Sequence, residues 1–150
     1  MKRHILFSLL LIVATSLTSC NNDTKQIEKT AYGYLNATGN YLTEEARPFA
    51  SPETQKTLDF LKDVLIPLTD TSYIAANTPA EITIDSINLT NEDSAVVFYT
   101  KVTPLKTLEA QITVVKFDGK WLVDIPLDIP EDTTSNQTFT VPAAPSIIKQ

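Results

Sequence analysis

A chain of 150 residues, 43% hydrophobic and 20% charged, is long enough to bury the core of one domain. Its 12 Lys and Arg are scattered among 18 acids, for a formal net charge of -6; no basic cluster exists to follow a phosphate backbone, which excludes nucleic-acid binding. One cysteine excludes an internal disulfide.

The N-terminus, MKRHILFSLLLIVATSLTSC, places Lys2 and Arg3 before an apolar run from Ile5 to Leu17, with small residues just before Cys20. That is the three-part layout of a secretory signal. A run of 13 residues falls short of the roughly twenty that a membrane-spanning helix needs. Leu17, Thr18, Ser19 and Cys20 resemble a bacterial lipobox, which implies diacylation of the Cys20 thiol and cleavage before it. The flanking small side chains let a peptidase reach the backbone, and only a thiol forms the thioether. At roughly 0.8 kcal/mol per buried methylene, two or three acyl chains hold a protein stably on a bilayer. Asn21 is not the aspartate that retains lipoproteins in the inner membrane of some bacteria, which points to the outer membrane.

Cleavage leaves 131 residues with a formal charge of -8, without the only histidine, His4, and the only methionine. Ser-His-Asp and Cys-His catalysis and imidazole zinc sites therefore cannot be assembled from the mature chain. An acylated Cys20 is no nucleophile. Carboxylates, lysines, tyrosines and hydroxyls remain for chemistry, and no cofactor is implied.

Ile27, Ala31, Tyr34, Leu35 and Leu42 recur at helical spacing from Thr24 to Leu42, with Asp23 or Thr24 as cap and a break near Gly39. Thr43 followed by Glu44 and Glu45 reads as the cap of a short second helix ending near Phe49, its acids favoured by the helix dipole. Ser51 as N-cap and Pro52 at the first helical position open a third helix. Its apolar side is Leu58, Phe60, Leu61 and Leu65, and Pro67 lies near its end. Thr69 to Pro79 is polar without a period and is predicted to be a loop.

After Pro79 the period becomes two. Ile82 and Ile84 alternate, then the phase slips to Ile87 and Leu89, which predicts a bulge near Asp85 and Ser86. Asn91 to Asp93 form a turn, Ala95 to Thr103 a second strand and Leu108 to Phe117 a third. Asp118-Gly119 is a hairpin signal, since both turn positions need positive φ, and Trp121 to Ile125 return as a fourth strand. Three N-terminal helices on a curved four-stranded antiparallel sheet make an α+β domain. The last 25 residues hold Pro126, Pro130, Pro142 and Pro145, four of nine prolines, and read as largely irregular. Phe139, Val141, Ile147 and Ile148 there would favour a groove on the domain. The predicted organisation is a signal peptide at 1–19, a lipidated tether at 20–23, the domain at 24–128 and a tail at 129–150.

The segment AYGYLNATGNYLTEEARPFASPETQKTLDFL (Ala31 to Leu61) and the hairpin KFDGKWLVDI (Lys116 to Ile125) resemble, in this order, a family of small exported lipoproteins described as lumazine-binding-like, of unknown function. The resemblance covers roughly Lys25 to Asp128. It implies a cystatin-like, nuclear-transport-factor-like cone with a cavity between helices and sheet, and carries no agreed activity. Some relatives of the cone are isomerases or dehydratases with an Asp and a His or Tyr in the cavity; without a histidine that carry-over fails in part. Pro104 and the long tail depart from the family's compact pattern.

The candidate cavity residues are Tyr34, Tyr99, Trp121 and Asp124. Trp121, just past a hairpin, reads first as core and otherwise as a ligand platform. Tyr34, Tyr41, Tyr73 and Tyr99 read as core edge with wet tips, or as hydroxyls lining a cavity. Asp124 reads as a surface aspartate, or as a buried acid-base group. Asn91-Glu92-Asp93 lacks the six to eight oxygens that calcium needs, so no metal is implied. Asp85-Ser86-Ile87, Asp93-Ser94-Ala95 and Asp132-Thr133-Thr134 resemble an O-glycosylation signal of one group of Gram-negative bacteria, with Ser94 in a turn and Thr133 in the tail as the accessible acceptors. The expected function is a membrane-anchored, non-enzymatic module for a small ligand or an envelope partner. The alternatives are an isomerase-type cavity enzyme using Asp124 and a tyrosine, and a structural or inhibitory protein whose tail docks by strand addition.

Overall fold

The computed structural model describes residues 22–126; the signal segment, Cys20, the tail and Thr133 lie outside the described residues. Helix α1 covers residues 22–39. Ile27, Ala31, Tyr34 and Leu35 are buried on one side of it, the stripe that helical spacing predicts. Asn22 and Asp23, assigned from the sequence to the tether, already belong to this helix. Asp23 is no cap, because it lies inside the helix, and its carboxylate accepts the Trp121 indole N–H.

The helix ends at Gly39, where the sequence predicts a break, and does not continue to Leu42 as the apolar spacing suggests. The Leu42 N–H bonds the Ala37 carbonyl at 2.9 Å and the Tyr41 N–H bonds Thr38 at 3.1 Å. These two bonds form a Schellman closure with Tyr41 at φ 62°, where glycine is usual. Gly33 has a different reason to be glycine: a Cβ there would stand 2.5 Å from the Phe49 ring. Alanine for glycine inside a helix ordinarily adds about 1 kcal/mol. Here Gly33→Ala is expected to lower stability by about 1–2 kcal/mol, because Phe49 is packed against the core and must be displaced. A higher urea midpoint for the variant would show that Phe49 swings aside without loss.

Helix α2 is Thr43–Ala46, followed by a 3-10 turn, Arg47–Phe49. Thr43 is not its cap; Leu42 occupies that position without a side-chain bond, and Thr43 is buried as the first helical residue. Helix α3, Pro52–Phe60, starts as predicted, with the Ser51 side chain accepting the Thr54 N–H. It runs through a wide π turn, Leu61–Leu65, into α4, Ile66–Leu68, which contains Pro67. The widened turn rotates the later residues, so Leu65 is exposed rather than on the apolar side.

The predicted loop from Thr69 to Pro79 contains a further helix, α5, Thr71–Ala76. Asp70 caps it, accepting the Ser72 N–H at 2.7 Å. The expectation of three helices is therefore corrected: α5 is additional, and the third predicted helix is divided by the π turn. A six-residue helix without buried residues carries no apolar period to read.

Four strands follow: β1 Glu81–Asn91, β2 Ser94–Val102, β3 Thr107–Phe117 and β4 Lys120–Val123. They form an antiparallel meander in the order β1-β2-β3-β4. The predicted phase slip is a bulge at Asp85: Ile84 pairs with Tyr99 and Ser86 with Phe98, leaving Asp85 unpaired in the register. The Thr100 hydroxyl donates to its carboxylate at 2.8 Å. Asp118 and Gly119 adopt φ 48° and 77°, as the two-residue hairpin requires.

β4 is shorter than predicted because the chain leaves β3 for α3. The Ile125 N–H donates to the Thr54 hydroxyl at 2.7 Å, and the Ile125 carbonyl accepts from Thr57 at 3.0 Å. One face of the sheet contributes Ala95, Val97, Ile112, Val114, Trp121 and Val123 to a core shared with α1 and Leu58 of α3. Ile82, Ile84, Ile87 and Tyr99 line its margin. The architecture is α+β, helices on one four-stranded antiparallel sheet.

Candidate functional site

The four residues proposed to line a cavity separate into two environments. Tyr34, on α1, is 5% exposed. Burial, with Tyr99 adding to it, pushes its phenol up to about 12. Tyr99 lies on the core side of β2 between Ile84 and Ala110, and burial raises its phenol as well. A phenol raised this far keeps its proton at neutral pH, so it can donate a hydrogen bond but is a poor general base.

The raised value also has a stability consequence. The unfolded chain releases the Tyr34 proton near the ordinary value of 10, whereas the folded chain holds it to about 12. The contribution of Tyr34 is therefore complete below pH 10 and is lost as pH rises towards 12, by about 2 kcal/mol. Tyr34→Phe should flatten the alkaline decline in unfolding free energy and remove the last component of the phenolate absorbance titration. An unaltered alkaline limb would assign the decline to other groups.

Trp121 and Asp124 address other partners. Trp121 is 3% exposed and donates its Nε1–H to Asp23 at 3.2 Å. Lys116 stands 5.3 Å from its ring centroid and 3.4 Å from the same carboxylate. The Asp124 carboxylate accepts the Ser51 hydroxyl at 2.7 Å, and its N–H donates to the Thr113 carbonyl. Neither side chain turns its polar atoms towards Tyr34 or Tyr99. The Ser51-Thr54-Asp124 cluster is a joint between α3 and β4.

Ser94 is half-buried as the first residue of β2, paired with Asn91 and Val115, rather than free in a turn. Ser86 is in β1, as its strand assignment implied. Among the described residues no group of three His, Cys, Asp or Glu side chains is placed to hold a metal ion. No helix of the described residues is long and apolar enough to cross a membrane.

Two features were not anticipated from the sequence. Lys101 continues the inward alternation of Val97 and Tyr99 and pairs with Ile82, and burial, assisted by Lys106, lowers its ammonium. The two-residue period of β2 would have identified it. The second is a groove of about 630 Å³ between α1 and the sheet edge. Lys25, Glu28, Lys29 and Tyr32 form its helix wall, and Ile82, Thr83 and Ile84 its strand wall. The helical residues fall on one stripe beside the buried one, but nothing in that stripe reveals which strand lies opposite.

The fold class and site can be set beside known proteins. No protein-family model matches the chain, and no curated protein does. Among solved structures it is similar to an NTF2-like protein of Campylobacter jejuni whose name suggests transpeptidase activity, at 19% identity over 64% of this chain and 94% of that one, with a TM-score of 0.47. It is also similar to an NTF2-like protein of unknown function from Shewanella oneidensis, at 17% identity over 67% of this chain and 93% of that one, with a TM-score of 0.46.

Proposed function

We propose that the protein is an envelope lipoprotein held on a bilayer through acylated Cys20. Its domain is a binding module, not a catalyst, that takes an extended segment of a partner protein into the groove between α1 and β1. The observation that carries this reading is the groove's second wall. In the sheet of the described residues β1 pairs with β2 alone, so its outer edge presents unpaired backbone groups along Glu81–Asn91. Such an edge accepts a further strand through main-chain hydrogen bonds. Ile82, Ile84 and Tyr32 offer apolar contact beside it, while Lys25, Glu28 and Lys29 offer charges of both signs. The bulge at Asp85 divides the edge, so the run before it, Glu81 to Ile84, is the docking length.

A photo-crosslinking side chain in place of exposed Thr83 should yield a discrete protein adduct in cells, and one in place of Gln111 on β3 should not. Absence of the Thr83 adduct, or an equal one from Gln111, would end this reading. The anchor has its own test. Cys20→Ala is expected to abolish fatty-acid labelling and to strand the precursor or release the protein, and continued labelling would refute acylation at this residue.

A further inference from the structure

We propose that one pole of the domain lies against the phospholipid surface, formed by the first turn of α1 and the β1–β2 and β3–β4 turns, in a fixed orientation. This rests on acylation of Cys20. Only Asn21 separates Cys20 from the helical residue Asn22. At about 3.6 Å per extended residue, the acylated residue cannot be more than about 7 Å from the start of α1.

That start is not free to swing. Asp23 accepts the Trp121 indole N–H and pairs with Lys116, both at the β3–β4 hairpin, and Lys116 also caps the indole face. The Lys116 N–H donates in turn to the Asp93 carbonyl at 2.8 Å, which joins the β1–β2 turn to the same end. The anchor therefore leaves the domain beside these two turns, while the β2–β3 connection around Leu105 lies at the opposite end of the sheet.

The chemistry of the pole suits the headgroup layer rather than the hydrocarbon. Phe117 and Leu89 are large apolar side chains 46% and 48% exposed there, and Lys120 is exposed beside Phe117. Glu92, Asp93 and Asp118 are exposed at the same end, and burying them unpaired in the acyl region would be costly. With both signs of charge present, orientation comes from the short tether and its clamp, so it should persist on neutral lipid.

The test uses the acylated mature protein in phosphatidylcholine vesicles. Because Cys20 is the only cysteine and is consumed by acylation, Lys120→Cys and Leu105→Cys each offer a single thiol for a fluorophore. Quenching by headgroup-attached nitroxide should be several-fold greater at position 120 than at position 105. Equal or inverted quenching on a protein whose mass shows the acyl chains would overturn the orientation while leaving the lipoprotein reading intact. An unmodified Cys20 would overturn both. Asp23→Ala should narrow the difference, and an undiminished difference would overturn the clamp.

Discussion

Trp121→Ala is expected to lower the unfolding free energy by about 3–5 kcal/mol, the range for truncating a large buried aromatic. The indole is 3% exposed within the cluster that joins β4 to α1. Its removal leaves a void that the sheet cannot close, because the neighbouring Val114–Val123 pair on the same face is held in register by the β3–β4 ladder. Domains of this size are stable by about 5–15 kcal/mol, so the variant should lose a large fraction of its folded population on modest heating. Trp121→Phe separates the two contributions. It keeps most of the apolar area, and Asp23 retains Lys116, so the loss should fall to about 1–2 kcal/mol. Since Trp121 is the only tryptophan, both variants are followed by circular dichroism in urea. A loss below about 1 kcal/mol for the alanine variant would mean that the core collapses around the gap.

The second large effect is expected at a polar position. Thr54 is fully buried, and its hydroxyl accepts the Ile125 N–H at 2.7 Å while donating to the Val123 carbonyl at 3.0 Å. Thr54→Val preserves the shape and deletes both bonds, together with the 3.0 Å contact between the Thr54 and Ser51 hydroxyls. The Val123 carbonyl keeps the Ser51 N–H at 2.9 Å, but the Ile125 N–H loses its partner. An orphaned buried donor costs about 1–3 kcal/mol, and Ile125 is half-buried, so a loss of about 1–2 kcal/mol is expected, with Thr54→Ser recovering most of it. The Asp124 region should also exchange amide hydrogen faster in the valine variant, because this joint holds the chain after β4 against α3. If the valine variant matched the parent, solvent would be satisfying the Ile125 N–H.

What was legible in the sequence was whatever a local rule controls. Ser51-Pro52 set the start of α3, and Asp118-Gly119 set the closing hairpin, because each acts through its own backbone. The slip of Ile84 to Ile87 disclosed the Asp85 bulge, since a strand facing one core cannot change face without an extra residue. Helix α5 was illegible although its Asp70 cap is a local signal, because its six residues bury none of their side chains and so carry no apolar period to extend that signal into a helix. The Leu61–Leu65 π turn was illegible because it shifts which residues face the core without changing their composition.

For the candidate site the division is sharper. The sequence by itself determined that residues 20–150 hold no histidine and a single thiol, which restricts the chemistry of the chain that the proposed cleavage and acylation would leave. Residue identity also singled out Tyr34, Tyr99, Trp121 and Asp124. Only the tertiary structure decided that Trp121 bonds Asp23 and Asp124 bonds Ser51, whereas Tyr34 and Tyr99 influence each other. These partners are 98 and 73 residues apart in the chain for the first two bonds. Contacts of that separation depend on how the sheet packs on α1 and α3, whereas spacing along the chain reports only which face a residue occupies.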